Sequence, residues 1–311
     1  MKIIVATEDK KRYWWEILVQ INNFKKRGLD KELTYLVGTK SGRLSTQLQK
    51  IKAETGVEIF GYKDRRYKNI AYNPTIRPYV LKKYFYGGYG NGNTSNSFMY
   101  IDTDVLFLRN LPALSLSNDV WYVSNTTSYM NSTYIKSKGE DLFLEMCKIV
   151  DIDPAIVEAN DLNAGGAQYL IKNSNWKFWQ KVEQDSEKLY QHMSQTSDKY
   201  NPTHQIQKWT ADMWAVLWNS WRDGHTTKIV KSMDFLWATD SKKKYKKNKT
   251  MSIYHNAGVT DAKKLFYKGA YVTKSPFNDD LSYVDQDYCS AFYVDEINDT
   301  KINYPELIKI L

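Results

Sequence analysis

The sequence is short of cysteine and of long apolar runs. Cys147 and Cys289 are its only cysteines in 311 residues, and they form no CxxC pair. That excludes a disulfide scaffold and a thiolate-held metal. No apolar stretch reaches the ~18 residues that a membrane-spanning helix needs. Charged sequence follows the first strand-like residues at once, so no signal-peptide core is expected, and the expected compartment is the cytoplasm, whether cellular or that of a phage or virus host. Glycine is missing where a dinucleotide fold would use it. The turn after the first strand reads ATEDKKRYW, with no GxGxxG, and a glycine loop cradling phosphates is excluded there.

Aromatic residues are plentiful: 24 Tyr, 11 Phe and 10 Trp, 14% of the chain. They imply a thick aromatic core or a stacking surface for ligands. The formal charge is +9, which draws anions such as nucleotides, phosphorylated ligands or nucleic acid. Much of the excess lies in SKKKYKKNK, residues 241–249, which reads as a solvated loop.

Strand-like and helical patterns alternate from the start. Residues 2–7 and 32–38 are β-branched or apolar runs, residues 13–26 and 45–55 are amphipathic, and residues 57–62 give a third strand. Such alternation predicts an α/β fold with a mostly parallel sheet flanked by helices. Pro78 suits a helix start, and glycine-rich residues 87–97 read as a polar loop. Helices are expected over 140–150, 176–192 and 209–221, and strands over 120–125, 228–238 and 251–258. One domain is expected over residues 1–281, with a C-terminal extension over 282–311 packed on it.

FMYIDTDVLFL, residues 98–108, carries two acids inside an apolar run. Side chains at i and i+2 of a strand share one face, so Asp102 and Asp104 can converge on one point. Open parallel sheets bind ligands at the carboxyl ends of their strands. A hard divalent cation takes oxygen ligands and keeps phosphate oxygens beside them. Asp102 and Asp104 are therefore candidate ligands for a metal–diphosphate, against the plainer reading of a solvated turn.

At this point the chain resembles the GT-A fold, nucleotide-sugar-dependent glycosyltransferases, and among them the retaining lipopolysaccharide galactosyltransferase and glycogenin family. Four stretches carry the resemblance: the DTD strand, IRPYVLKKYF, DLNAGGAQYLIKNSNW and YHNAGVTDAKKLFYKG. It implies Asp102, Asp104 and His255 as metal ligands, Asp104 the firmer and Asp102 also touching the ribose. The metal would be Mn²⁺ or Mg²⁺ and the donor a nucleoside diphosphate sugar, UDP-linked. Arg77 would approach the donor sugar and diphosphate. Asn163 would hold sugar hydroxyls, with Ala164 leaving room beside it. Gly258 and Lys268 would face the diphosphate, and Thr103 would join the donor contacts. Thr7 ends the first strand and is expected to face the nucleotide. Tyr13 either stacks on the base or packs as a core aromatic.

The family's DQD segment is replaced by WTADMWAVLW, in which Asp212 is the only acid. Asp212 is a candidate catalytic carboxylate beside Trp209, Trp214 and Trp218. It is equally a first-turn acid of a helix capped by Thr210. Asp161 and Gln168 are further candidates for sugar contacts. The function implied is a metal-dependent hexosyltransferase, retaining in outcome, acting on an acceptor hydroxyl of a saccharide or protein. Two alternatives stand beside it: a phage-type enzyme modifying hydroxymethylated DNA bases, and a non-enzymatic nucleic-acid-binding module.

Overall fold

The structure is a computed structural model that describes every residue except 67–69, 89–96, 112–115, 117–118, 197 and 201–202. Most of the expected glycine-rich loop at 87–97 lies outside the described residues.

The elements run in chain order. β1 (Lys2–Glu8), α1 (Lys11–Lys25), β2 (Leu33–Thr39), α2 (Thr46–Thr55) and β3 (Glu58–Lys63) open the chain. α3 (Ile76–Tyr86), β4 (Ser97–Ile101), β5 (Val105–Phe107) and β6 (Val120–Val123) follow. Then come α4 (Thr127–Met130), α5 (Ser132–Lys136), α6 (Glu140–Val150), α7 (Pro154–Ala159) and β7 (Tyr169–Lys172). α8 (Trp176–Gln195), α9 (Ala211–Arg222), β8 (Thr226–Ile229) and β9 (Phe235–Trp237) come next. α10 (Lys242–Lys247), β10 (Ile253–His255), α11 (Ser290–Asn303) and α12 (Pro305–Ile308) complete it.

Among the described residues the architecture is α/β, as the alternation predicts. The chain divides into two compact units. The first holds Met1–Lys63, Ile101–Leu114 and Lys231–Leu311; the second holds Asp64–Tyr100 and Ser115–Val230.

In the first unit β1 pairs in parallel with β2, and β2 with β3. Every residue of β2 is buried, as a central strand covered on both faces must be. The small sheet has the order β5-β10-β9. α1 is buried along most of its length, and Trp15 packs edge-on against Phe266, Tyr271 and Tyr293. Here the abundant aromatics serve the core. α11 lies along α1, where Asn22 and Asn23 donate to the two oxygens of Glu296 at 2.6 and 2.9 Å. Residues 282–311, which include α11 and α12, belong to this unit.

In the second unit the strands run β4-β7-β6-β8, with β7 antiparallel to both neighbours and β6 parallel to β8. α8 packs between α3 and α9. Trp179, Trp214 and Trp218 are fully buried there.

One expected element differs, and the segment over 98–108 divides at its acids: the chain turns there and β5 joins the other sheet. A buried strand cannot carry two unpaired carboxylates without a large desolvation cost, and the turn lifts them out of the pleat. The lysine run, expected as a loop, is α10. Ser241 caps its start by accepting from the Lys244 amide. Arg109 closes its end, donating to the carbonyls of Asn248 and Met251 at 2.9 and 2.7 Å, with its guanidinium 3.8 Å over the Tyr245 ring. Among the described residues no helix is long and apolar enough to cross a membrane.

Candidate active site

The first unit gathers Asp102, Asp104, His255 and Lys268. β4 ends at Ile101 and β5 begins at Val105, so the two acids occupy the turn between them. β10 pairs antiparallel with β5, with His255 opposite Val105. That register sets the imidazole one residue from Asp104. His255 Nε2 lies 3.3 Å from Asp104 Oδ1 and 3.8 Å from Asp102 Oδ2. One donor atom from each of the three lies within 4.8 Å of the others. Two carboxylate oxygens and an imidazole nitrogen at that spacing fit a divalent cation of the Mn²⁺ type, with positions left for phosphate oxygens.

Asp102 is partly exposed, while Asp104 is the buried acid. Its Oδ1 faces His255 and its Oδ2 accepts from the Lys268 ammonium, which sits on the short 3₁₀ turn Lys268–Tyr271. Burial works against the ionised form of Asp104. Lys268 and His255 more than offset that and hold its carboxyl well below the usual carboxylate range. Gly258, three residues past His255, has φ of 85°, a left-handed conformation that favours glycine.

The second unit gathers Arg77 and Asp212. Arg77, in the first turn of α3, places Nη2 2.5 Å from Oδ2 of Asp212, in the first turn of α9. Tyr72 Oη lies 2.6 Å from both Asp212 Oδ1 and the Trp209 carbonyl, with its one proton in reach of either. Burial first, then the charge of Asp212, pushes the Tyr72 hydroxyl well above its ordinary pKa. Thr210 does not cap α9 as expected; its hydroxyl donates to the Gln207 carbonyl instead. Of the three tryptophans expected near Asp212, Trp214 and Trp218 are core residues and Trp209 is 57% exposed.

Asn163 accepts from the Ile229 amide through Oδ1 at 3.3 Å, and its carbonyl accepts from Thr227 Oγ1 at 2.8 Å. Ala164 beside it is fully buried. Asp161 accepts from the amide and hydroxyl of Ser132, and Gln168 accepts from the Ser124 hydroxyl. Thr7 is buried at the end of β1, and its hydroxyl has no hydrogen-bond partner among the described residues. Tyr13 is half-buried, with the Arg12 guanidinium 5.4 Å over its ring.

No protein-family model matches the chain, and no curated protein sequence does. Among solved structures it is similar to the apo form of WbbM, a bifunctional glycosyltransferase, at 14% identity and a TM-score of 0.47, over 96% of this chain and 49% of that one. It is also similar to the galactosyltransferase LgtC in complex with donor and acceptor sugar analogues, at 13% identity and a TM-score of 0.46, over 95% of each chain. A third is apo GlyE, a glycosyltransferase of Streptococcus pneumoniae TIGR4, at 11% identity and a TM-score of 0.41, over 99% of this chain and 64% of that one. The chain spans about half the length of WbbM.

Sequence reasoning missed the polar residues that α1 sends under the acidic turn. Thr103 Oγ1 donates to Glu16, and Arg12 Nε lies 3.3 Å from the other oxygen of that carboxylate. Burial pushes the Glu16 carboxyl above its ordinary value, against the pull of Arg12. The signal was present: Arg12, Glu16 and Gln20 recur at four-residue spacing, one face of a helix. Tyr72 carried no comparable signal.

Proposed function

We propose that the chain is a divalent-metal-dependent glycosyltransferase. It moves a hexose from a nucleoside diphosphate sugar, UDP-linked, to an acceptor hydroxyl with retention of configuration. The observation that carries this reading is the convergence of Asp102, Asp104 and His255 at a strand-end turn, with the Lys268 ammonium beside them. Acids at a phosphate site repel the ligand unless a cation stands between, so this donor set favours a metal–diphosphate over bare nucleic acid.

A cation held there supplies Lewis-acid neutralisation of the departing diphosphate. Asp104 and His255 would fix its place, and Asp102, the more exposed acid, is assigned to the ribose as well. Lys268 adds a positive charge where charge develops on the leaving group, at no cost of reorganisation. Arg77, Asp212 and Asn163 take the sugar-handling roles in this reading. Trp209 offers an indole face to a sugar's C–H surface. Thr7 and Tyr13 are assigned to the nucleoside, and Gly258 to close backbone approach by the diphosphate.

A melting scan tests this reading. UDP is expected to raise the melting temperature far more with Mn²⁺ than with EDTA, and a UDP-hexose is expected to do the same. A shift produced by DNA alone, with none from any nucleotide or nucleotide sugar, would replace this reading with nucleic-acid binding.

A further inference from the structure

α1 is a buried helix with a polar stripe, and three of its residues reach the acidic turn or the strand that follows it. Glu16, Gln20 and Asn23 are each within 1% of full burial. Burying such groups is costly unless each finds a partner. All three reach the segment that carries the acids. Glu16 accepts from the Thr103 hydroxyl, between the two aspartates. Gln20 Nε2 donates to the carbonyls of both Asp102 and Val105, each at 2.8 Å. Asn23 Oδ1 accepts from the Phe107 amide at 2.8 Å.

Gln20 is itself fixed, since its Oε1 accepts from the Tyr35 hydroxyl of β2 at 2.8 Å. The carboxamide therefore has one orientation, with its NH₂ aimed at the turn. Its two bonds bracket the residues whose side chains must converge. The turn's own closure, from the Val105 amide to the Asp102 carbonyl, is long at 3.4 Å. From the other side the Asn256 amide donates to the Asp104 carbonyl at 3.0 Å, next to His255. The backbone from 102 to 105 is thus gripped from a helix on one side and β10 on the other.

We infer that Gln20 and Thr103 are positioning residues: they set the aim of Asp102 and Asp104 toward the cation without touching it. Gln20 does so by clamping two carbonyls. Thr103 does so by anchoring the middle of the turn to Glu16. This inference rests on the metal-dependent reading proposed above. Partners behind metal ligands are worth ten- to a hundredfold in metal affinity.

Equilibrium Mn²⁺ binding to the full chain, without nucleotide or sugar, tests it. Gln20→Met keeps the volume and removes the clamp. It is expected to weaken Mn²⁺ binding about tenfold. Ile21→Val, on the same buried helix but off the stripe, is the stability control and is expected to bind Mn²⁺ as the parent does. Thr103→Val is expected to weaken binding, and Thr103→Ser, which keeps the hydroxyl, to restore it. The threonine pair decides the matter if Gln20→Met does not fold. Parent-like Mn²⁺ binding in both Gln20→Met and Thr103→Val, or in Thr103→Val alone where Gln20→Met does not fold, overturns the positioning roles and leaves the metal reading standing. No Mn²⁺ binding by the parent chain overturns the metal reading itself and the positioning roles with it.

Discussion

Lys268 donates its ammonium to Oδ2 of Asp104, a partner 164 positions away in the chain. The same carboxylate turns its other oxygen to His255. One buried acid thus holds a cationic side chain on one oxygen and a metal-type ligand on the other. Under the proposed reading, Lys268 and a bound cation would compete for Asp104.

Lys268→Met separates the two roles. Without its ammonium the buried carboxylate loses its main neutralising partner. The metal-free protein is expected to lose stability, by less than the ~3–5 kcal/mol of a fully buried pair, because Lys268 is a quarter exposed. Mn²⁺ is expected to bind more tightly, because its competitor is gone, while sugar transfer falls for want of a charge beside the diphosphate. Urea unfolding, Mn²⁺ titration and a transfer assay read the three effects. Weaker Mn²⁺ binding would mean that Lys268 supports the site rather than competes for it.

Asp102→Asn and Asp104→Asn are each expected to abolish transfer in chains that still melt cooperatively. Asparagine keeps the volume and removes the charge a divalent cation needs. The Asp104 variant is expected to lose more Mn²⁺ affinity, because Asp104 is the more buried and is the acid nearer His255. Full activity of either variant with added Mn²⁺ would remove the metal assignment.

The sheet and the acidic turn were legible for a local reason. β1 and β2 are apolar runs, and two acids interrupting such a run announce a turn. His255 could be placed only by resemblance, yet β10 is short and its β-branched start is visible in the sequence. What stayed hidden depends on partners far along the chain. The Tyr72–Asp212 bond spans 140 positions, and Arg109 closes α10 from 139 positions away. Six lysine-rich residues have no local reason to be helical without that closure, so composition alone pointed to a loop. Glu16 and Gln20 lay in plain view on a helix face. Their burial was not visible, because α1 is polar enough to pass for an ordinary surface helix.

Gly165→Ala tests a close approach next to Asn163. A Cβ there would lie 2.4 Å from the Ser124 carbonyl and 2.6 Å from a methyl of Val123. The carbonyl is backbone and cannot turn aside, so the chain must shift. The expected cost is about 1–3 kcal/mol in urea unfolding. The shift is expected to loosen the bond from the Ile229 amide to Asn163, seen as faster hydrogen exchange at Ile229. An unchanged unfolding midpoint would show that the loop yields freely and that alanine fits.

Arg77 and Asp212 call for a double-mutant cycle. Asp212 is buried, held by the Arg77 guanidinium at 2.5 Å and the Tyr72 hydroxyl at 2.6 Å. Arg77→Met takes a charged donor from a buried carboxylate, and Asp212→Asn takes a counter-charge from a partly buried guanidinium. Each is expected to cost about 2–4 kcal/mol, with the double variant costing less than the sum. Tyr72→Phe is expected to cost less, about 1–2 kcal/mol, because it removes a single neutral donor. The three differ in function under the proposed reading. Asp212→Asn is expected to lower kcat for transfer while Mn²⁺ affinity stays at the parent value. Normal transfer in Asp212→Asn, with only the stability loss, would make the Arg77–Asp212–Tyr72 cluster a structural brace joining α3 and α9, and would move the search for the sugar-gripping carboxylate elsewhere.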